Sequence, residues 1–281
     1  MSDAPRDLPR DLPRQDLALI AGRGGLPLAL VQVLKQAGGR PYVCALDGFA
    51  PEGLTPDLHF RLERLVPFLR HLADRGITRV TFAGAVTRPR LDPALFDAAT
   101  AQLLPRILTA MQSGDDATLR EVIAVFEEDG LAVEGVDTLA PGLLPRPGVL
   151  AGPVPAWAEA DADRAAAIVA ALGSVDVGQA CVVGRGLCLA VEALPGTDAM
   201  LAQVAALPDG LRPKASGLLY KAAKPGQDRR LDLPVLGPGT VAGASAAGLA
   251  GIVFQAGSVI CLNLPAMQAE AAARGLFLWA R

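Results

Sequence analysis

The chain has almost no histidine. His59 and His71 are the only two in 281 residues, too few for a histidine-rich zinc site and awkward for a Ser-His-Asp triad, so any metal here would have to prefer oxygen ligands. Aromatic residues make up 4%, which leaves Ala, Val and Leu to build the core. The four cysteines (Cys44, Cys181, Cys188, Cys261) form no C-x-x-C pair, and three sit in apolar, strand-like runs. They read as reduced residues of a cytosolic protein. No basic block interrupts a net charge of -3, so the electrostatic footprint of a nucleic-acid binder is missing.

Charge is also absent between Asp232 and Glu270. Gly243, Gly248, Gly251 and Gly257, with flanking Pro238 and Pro265, punctuate that stretch too often for one spanning helix. A helix, a turn and two buried strands at 251–254 and 259–262 fit it better. The N-terminal residues 1–15 carry a tandem RDLPRDLPR without an apolar core. They read as a disordered extension, not a signal peptide.

What is present favours a two-domain α/β enzyme, because single cores stop growing near about 250 residues. Apolar runs at 17–21, 42–46 and 80–83 alternate with helical patterns at 27–37 and 67–74, which implies a parallel sheet covered by helices. Helices at 93–111 and 115–129 and a strand at 131–136 complete a Rossmann-like domain over 16–139. Five prolines and three glycines mark 140–155 as a linker. A mixed α/β domain over 156–281 follows, with a helix at 159–172 and strands at 180–183 and 187–193. The short turn Gly184-Arg185-Gly186 makes those strands a hairpin.

Five segments, with Asp47, carry the candidate chemistry. Gly22-Arg23-Gly24-Gly25-Leu26-Pro27 lies between a strand and a helix, where glycines let amides approach a phosphate at a helix N-terminus; an ordinary tight turn is the alternative. Asp47 would complete a dinucleotide fingerprint by gripping a ribose, although Pro27 occupies the place of its third glycine. The loop containing Gly84, Thr87 and Arg88 lies at a strand's carboxyl end, where open α/β sheets bind ligands. Asp115, next to Asp116, is a good helix N-cap.

The densest chemistry runs from Lys221 to Pro234. The chain has only four lysines against 22 arginines, yet Lys221 and Lys224 share this segment with Asp228 and Asp232. Ammonium groups and carboxylates together suit Mg²⁺-assisted phosphoryl chemistry; a solvated loop is the plainer reading. Glu192 closes an apolar run, where a carboxylate is costly unless paired. Thr197 and Asp198 open a helix soon afterwards.

In order and spacing, several strings resemble the LpxI-type UDP-2,3-diacylglucosamine pyrophosphatases. They are Ile20-Ala21-Gly22-x-Gly24-x-Leu26-Pro27, Gly114-Asp115-Asp116, Asp176-x-Gly178-Gln179, Glu192-x-x-x-Gly196-Thr197-Asp198 and Lys221-x-x-Lys224-Pro225-x-Gln227-Asp228-x-Arg230-x-Asp232-x-Pro234. The likeness runs from about Asp16 to the C-terminus. It implies Mg²⁺-dependent hydrolysis of UDP-2,3-diacylglucosamine to UMP and 2,3-diacylglucosamine 1-phosphate in lipid A synthesis, with water attacking the phosphorus on the sugar side. It also implies a cytoplasmic protein that touches the inner-membrane surface transiently. Homodimerisation is expected from base rate alone.

The resemblance implies an essential role for Asp232, in metal binding or water activation; Lys221, Lys224, Gln227 and Asp228 are the other candidate catalytic residues, and Glu192 is the other candidate metal ligand. The resemblance also implies substrate contacts from Gly22, Gly24, Gly25, Leu26, Gly84, Thr87, Arg88, Asp115, Asp116, Gln179, Thr197 and Asp198. Arg23 and Ala85 depart from the family's usual glycine and asparagine. A nicotinamide-dependent oxidoreductase and a non-catalytic nucleotide-binding module are the rival readings.

Overall fold

The computed structural model describes residues 16–86, 91–112, 115–211 and 213–281, the side chains of 115 and 116 excepted. The expected extension 1–15 and the expected contacts Thr87 and Arg88 lie outside the described residues, as do the side chains of Asp115 and Asp116. The chain divides into two units: one runs to Pro141 and takes in Asp228–Asp232, the other comprises Gly142–Gln227 and Leu233–Arg281.

The first unit follows the alternation in its sequence. Its elements are β1 (Leu17–Ala21), α1 (Leu26–Gln36), β2 (Tyr42–Leu46), β3 (Leu58–Phe60), α2 (Leu65–Asp74), β4 (Arg79–Ala83), α3 (Ala98–Ala101), α4 (Leu104–Gln112), α5 (Asp115–Glu128), β5 (Ala132–Val133) and α6 (Val136–Leu139). The strands form one sheet in the order β3-β2-β1-β4-β5, with every neighbouring pair parallel. This is the strand order of a doubly wound sheet. Central β1, LALIA, is buried at every position, as a strand covered on both faces must be.

Helix α2 buries Leu65, Phe68, Leu69 and Leu72, a stripe at helical spacing. Phe68 stacks on Phe60 at 4.0 Å and meets the edge of Phe126. The few aromatic residues are thus concentrated where helices close on the sheet.

Two local expectations are corrected. The helix expected over 93–111 breaks into a 3-10 turn at Pro93–Leu95, then α3, then α4. Asp97 causes one break by accepting hydrogen bonds from the amides of Ala99 and Thr100, which starts α3 afresh. The strand expected over 131–136 pairs only at Ala132–Val133 before α6 begins.

The second unit contains β6 (Gly148–Ala151), α7 (Ala158–Ser174), β7 (Ala180–Gly184), β8 (Leu187–Val191), α8 (Gly196–Ala205), β9 (Leu218–Lys221), β10 (Val235–Leu236), α9 (Pro238–Ala246), β11 (Gly251–Phe254), β12 (Ile260–Cys261), α10 (Leu264–Arg274) and β13 (Phe277–Ala280). Six strands form a mixed sheet in the order β6-β13-β11-β9-β7-β8, and β10 pairs with β12. The central β9, β11 and β13 are parallel, and the two edges are antiparallel.

Residues 140–155 are therefore not a free linker, because β6 within them is the sheet's first strand. The mixed domain expected at 156–281 begins earlier and yields Asp228–Asp232 to the first unit.

Period-two alternation separates the second unit's two cores. Cys181, Val183, Leu218 and Tyr220 face the alanines of α7, while Val182, Leu219, Ile252 and Leu278 face residues of α8, α9 and α10. The hairpin turn has positive φ at Arg185 and Gly186, which suits a two-residue connection. Both amides donate to the buried carboxylate of Asp161 in α7, at 2.9 and 2.7 Å. The charge-free stretch resolves into α9, β11 and β12 as anticipated. Among the described residues, no helix is long and apolar enough to cross a membrane.

Candidate functional site

In the second unit, one end of the sheet gathers side chains that lie far apart in sequence. Lys221 is the last residue of β9, on the face that Leu219 turns toward α8. Its Nζ donates to Thr197 Oγ1 at 2.5 Å and lies 3.4 Å from Glu192 Oε2, and the Thr197 hydroxyl donates to the same carboxylate oxygen. Glu192 and Lys221 are 8% and 7% exposed, so the pair is a desolvated one, held by close contacts. Backbone packing leaves little slack. The Glu192 amide donates to Ala180 O at 2.8 Å, and a Cβ on Gly178 would fall 2.0 Å from Glu192 O.

The backbone of Gln179 joins the same group, since its carbonyl accepts from the Ala222 amide at 3.0 Å. Beyond Lys221 the chain turns through Lys224-Pro225-Gly226-Gln227, with Gly226 at φ +74°. Proline followed by a positive-φ glycine is the pattern of a type II turn. Gln227 Oε1 accepts from the Lys224 amide at 3.1 Å, so its side chain caps this turn. Lys224 Nζ reaches Asp176 Oδ1 at 2.6 Å. Gln255, after β11, accepts from the Ala223 amide at 3.3 Å.

Sequence reasoning missed the Asp176 and Gln255 contacts. For Asp176 a signal existed in its place within the Asp176-x-Gly178-Gln179 string; Gln255 had none.

In the first unit the glycine loop is committed to the sheet more than to a ligand. The Gly22 amide donates to Ala83 O at 2.8 Å, and Arg23 and Ala85 exchange backbone hydrogen bonds, both 2.9 Å. The amides of Gly22 and Arg23 are thus occupied. Gly24, with φ +89° and open space around it, and Gly25 and Leu26 at the start of α1 remain the part of this loop suited to an anion. Arg23 crosses to Gly48 O at 2.7 Å and lies over the Phe49 ring. Asp47 is ion-paired with Arg61 at 2.9 Å, which weakens the ribose-gripping role that the oxidoreductase reading requires.

Segment Asp228–Asp232 belongs to this unit. Arg230 donates to both Asp228 carboxylate oxygens, Nε to Oδ1 at 3.0 Å and Nη2 to Oδ2 at 2.7 Å, and its Nη1 reaches Glu127 at 2.7 Å. The Arg230 hydrogen bonds hold the Asp228 carboxyl below its ordinary range. Asp228 thus fastens a turn. Arg229 pairs with Asp137 at 2.9 Å, and Leu231 packs on the sheet's core. Asp232, half-buried, closes the turn with its amide toward Asp228 O at 3.5 Å. The open groove between α4 and α5, lined by Pro105, Arg106, Thr109 and Glu121 among others, holds none of the expected residues whose side chains are described.

Known families cover nearly all of this chain. The LpxI N-terminal domain model matches residues 16–143 and the LpxI C-terminal domain model matches residues 146–279. The chain belongs to the LpxI family. A relative from Caulobacter vibrioides, UDP-2,3-diacylglucosamine pyrophosphatase LpxI, is 40% identical over 269 residues, covering 93% of this chain and 96% of its own length. The two LpxI models meet within a few residues of the division after Pro141. Both units are therefore family domains, and no long linker separates them.

Proposed function

We propose that this chain hydrolyses UDP-2,3-diacylglucosamine to UMP and 2,3-diacylglucosamine 1-phosphate, a step of lipid A biosynthesis. The carrying observation is the 40% identity to the Caulobacter vibrioides pyrophosphatase over 93% of the chain. Cleaving a pyrophosphate demands charge neutralisation and an oriented water more than covalent chemistry. Lys221 and Lys224, four residues of chain that start at the end of β9, supply cationic charge.

Mg²⁺ keeps several waters and binds through one or two carboxylates plus substrate phosphate. Asp232 fits that mode as a single protein ligand. Among the described residues, no group of three His, Cys, Asp or Glu side chains is placed to hold a metal, so the arrangement proposed is Asp232 together with substrate phosphate. When bound, the ion would neutralise phosphate charge, and Asp232 would hold it or orient the water.

A substrate that carries two acyl chains supports action at a membrane surface, here proposed to be the cytoplasmic face of the inner membrane. Exposed Val175, Val177 and Leu194, the last 95% accessible, support transient contact with a lipid surface. Self-association would use β8, the charge-free edge strand that exposes Leu187.

The test is release of UMP from UDP-2,3-diacylglucosamine, with and without Mg²⁺, by the intact chain and by Asp232→Ala. Metal-dependent release that the substitution abolishes is the expected result. No release under any divalent metal would sink the reading. Binding without turnover would favour the nucleotide-binding module, and a spectral change with NAD would favour the oxidoreductase.

A further inference from the structure

Glu192 and Asp232 are both expected as metal ligands, but the structure gives Glu192 a different partner. Its Oε2 accepts a hydrogen bond from the Thr197 hydroxyl and faces the Lys221 ammonium at 3.4 Å, while that ammonium donates to the Thr197 oxygen at 2.5 Å. The three groups form a closed relay: ammonium to hydroxyl, hydroxyl to carboxylate, and carboxylate back to the ammonium charge. A divalent cation at Oε2 would stand beside a buried like charge, which is strongly unfavourable away from water.

We propose that Glu192 and Thr197 are positioning residues for Lys221, with Glu192 as its counter-charge and not a metal ligand. The proposal rests on the pyrophosphatase reading above and assigns roles within it. Lys221 would then act as a fixed cation whose Nζ is set by an oriented hydroxyl, so that little reorganisation is needed as negative charge moves onto the departing phosphate. Thr197 is suited to this because it lies in the first turn of α8, at a fixed distance from the end of β9. One hydroxyl both accepts from the ammonium and donates to the carboxylate, so losing it breaks both links at once.

The experiment compares kcat, KM and the Mg²⁺ concentration for half-maximal UMP release in wild type, Thr197→Val, Thr197→Ser and Glu192→Gln, with thermal melts of each. Thr197→Val should lower kcat by about 10- to 100-fold, the worth of a hydrogen bond to a charged group, with KM unchanged. Thr197→Ser should restore most of it. Glu192→Gln should lower kcat without moving the Mg²⁺ requirement.

The inference is overturned if Thr197→Val keeps wild-type kcat, or if Thr197→Ser is as impaired as Thr197→Val. A Glu192→Gln enzyme rescued by excess Mg²⁺ would restore Glu192 as a ligand and overturn it too. Should Thr197→Val fail to melt cooperatively, the Mg²⁺ dependence of Glu192→Gln decides alone. An inactive wild type would sink the pyrophosphatase reading and this one together; an active wild type with an unaffected Thr197→Val sinks this one only.

Discussion

Gly22 and Gly84 close on each other at the carboxyl ends of β1 and β4. A Cβ on Gly22 would lie 2.8 Å from the Gly84 carbonyl carbon, and one on Gly84 would lie 2.7 Å from the Gly22 carbonyl. Both loops need glycine there for reasons of packing, whatever ligand they meet.

That contact separates two glycines that look equivalent in sequence. Gly22→Ala must push backbone against backbone, and should cost more than about 2 kcal/mol by overpacking. Gly24→Ala meets open space and has only its φ of +89° to resist it, a cost of about 1–2 kcal/mol. Urea unfolding of both variants checks the order; equal losses would mean that the close approach does not matter.

The ion pair between Lys224 and Asp176 predicts a split between stability and rate. Asp176 has φ +56°, which Asn tolerates and a β-branched residue does not. Asp176→Asn should unfold within about 1 kcal/mol of wild type, and Asp176→Val should lose about 1–3 kcal/mol. If Lys224 offers charge to the phosphates, as the proposed function has it, Lys224→Met should slow UMP release by about 10²-fold. Asp176→Asn, which keeps the ammonium, should slow it less than about tenfold. Unfolding curves and initial rates on the same preparations decide; equal rate losses would show that Lys224 acts only through the pair.

The first unit was legible because its signals are local. β1, β2 and α1 follow from apolar runs and a glycine-proline boundary, and the hairpin at Arg185-Gly186 follows from its turn residues. β3 escaped because three residues, Leu58–Phe60, carry no period. β6 escaped because the prolines around it read as a linker, while its strand character comes from pairing with β13, more than a hundred residues away. At the site, residue types pointed to Lys221, Lys224 and Glu192, but only tertiary contacts show that Glu192 lies against Lys221 and Thr197, or that the Asp228 carboxylate is taken by Arg230. The change of unit within one charged segment, between Gln227 and Asp228, has no counterpart in composition.

Burial predicts a simple thiol pattern. Cys44, Cys181 and Cys261 are buried, and desolvation pushes each thiol up to about 12, so almost no thiolate exists near pH 8. Cys188 is exposed on the edge strand β8. Native protein should therefore take up one equivalent of a thiol reagent per chain at pH 8, at Cys188, and all four equivalents after denaturation. Rapid labelling of a second cysteine in the native state, seen by peptide mass, would contradict the buried placement of β2, β7 or β12.

The Asp228–Arg230 contact makes a prediction with a defined sign in pH. The Arg230 hydrogen bonds lower the Asp228 pKa from 3.8 in the folded state. A carboxyl depressed by folding contributes stability that is fully present above its unfolded pKa, about 3.9, and is lost as pH falls through the folded value. The stability gap between wild type and Asp228→Asn should therefore stay level from pH 7 to about 5 and narrow below about pH 4. Arg230→Ala should show a gap that narrows over the same range, because it removes the same charged contact from the other side. Urea unfolding at stepped pH measures this directly. A gap that persists unchanged to about pH 2 would mean that Asp228 fastens the turn through its shape and neutral hydrogen bonds, with its charge making no contribution.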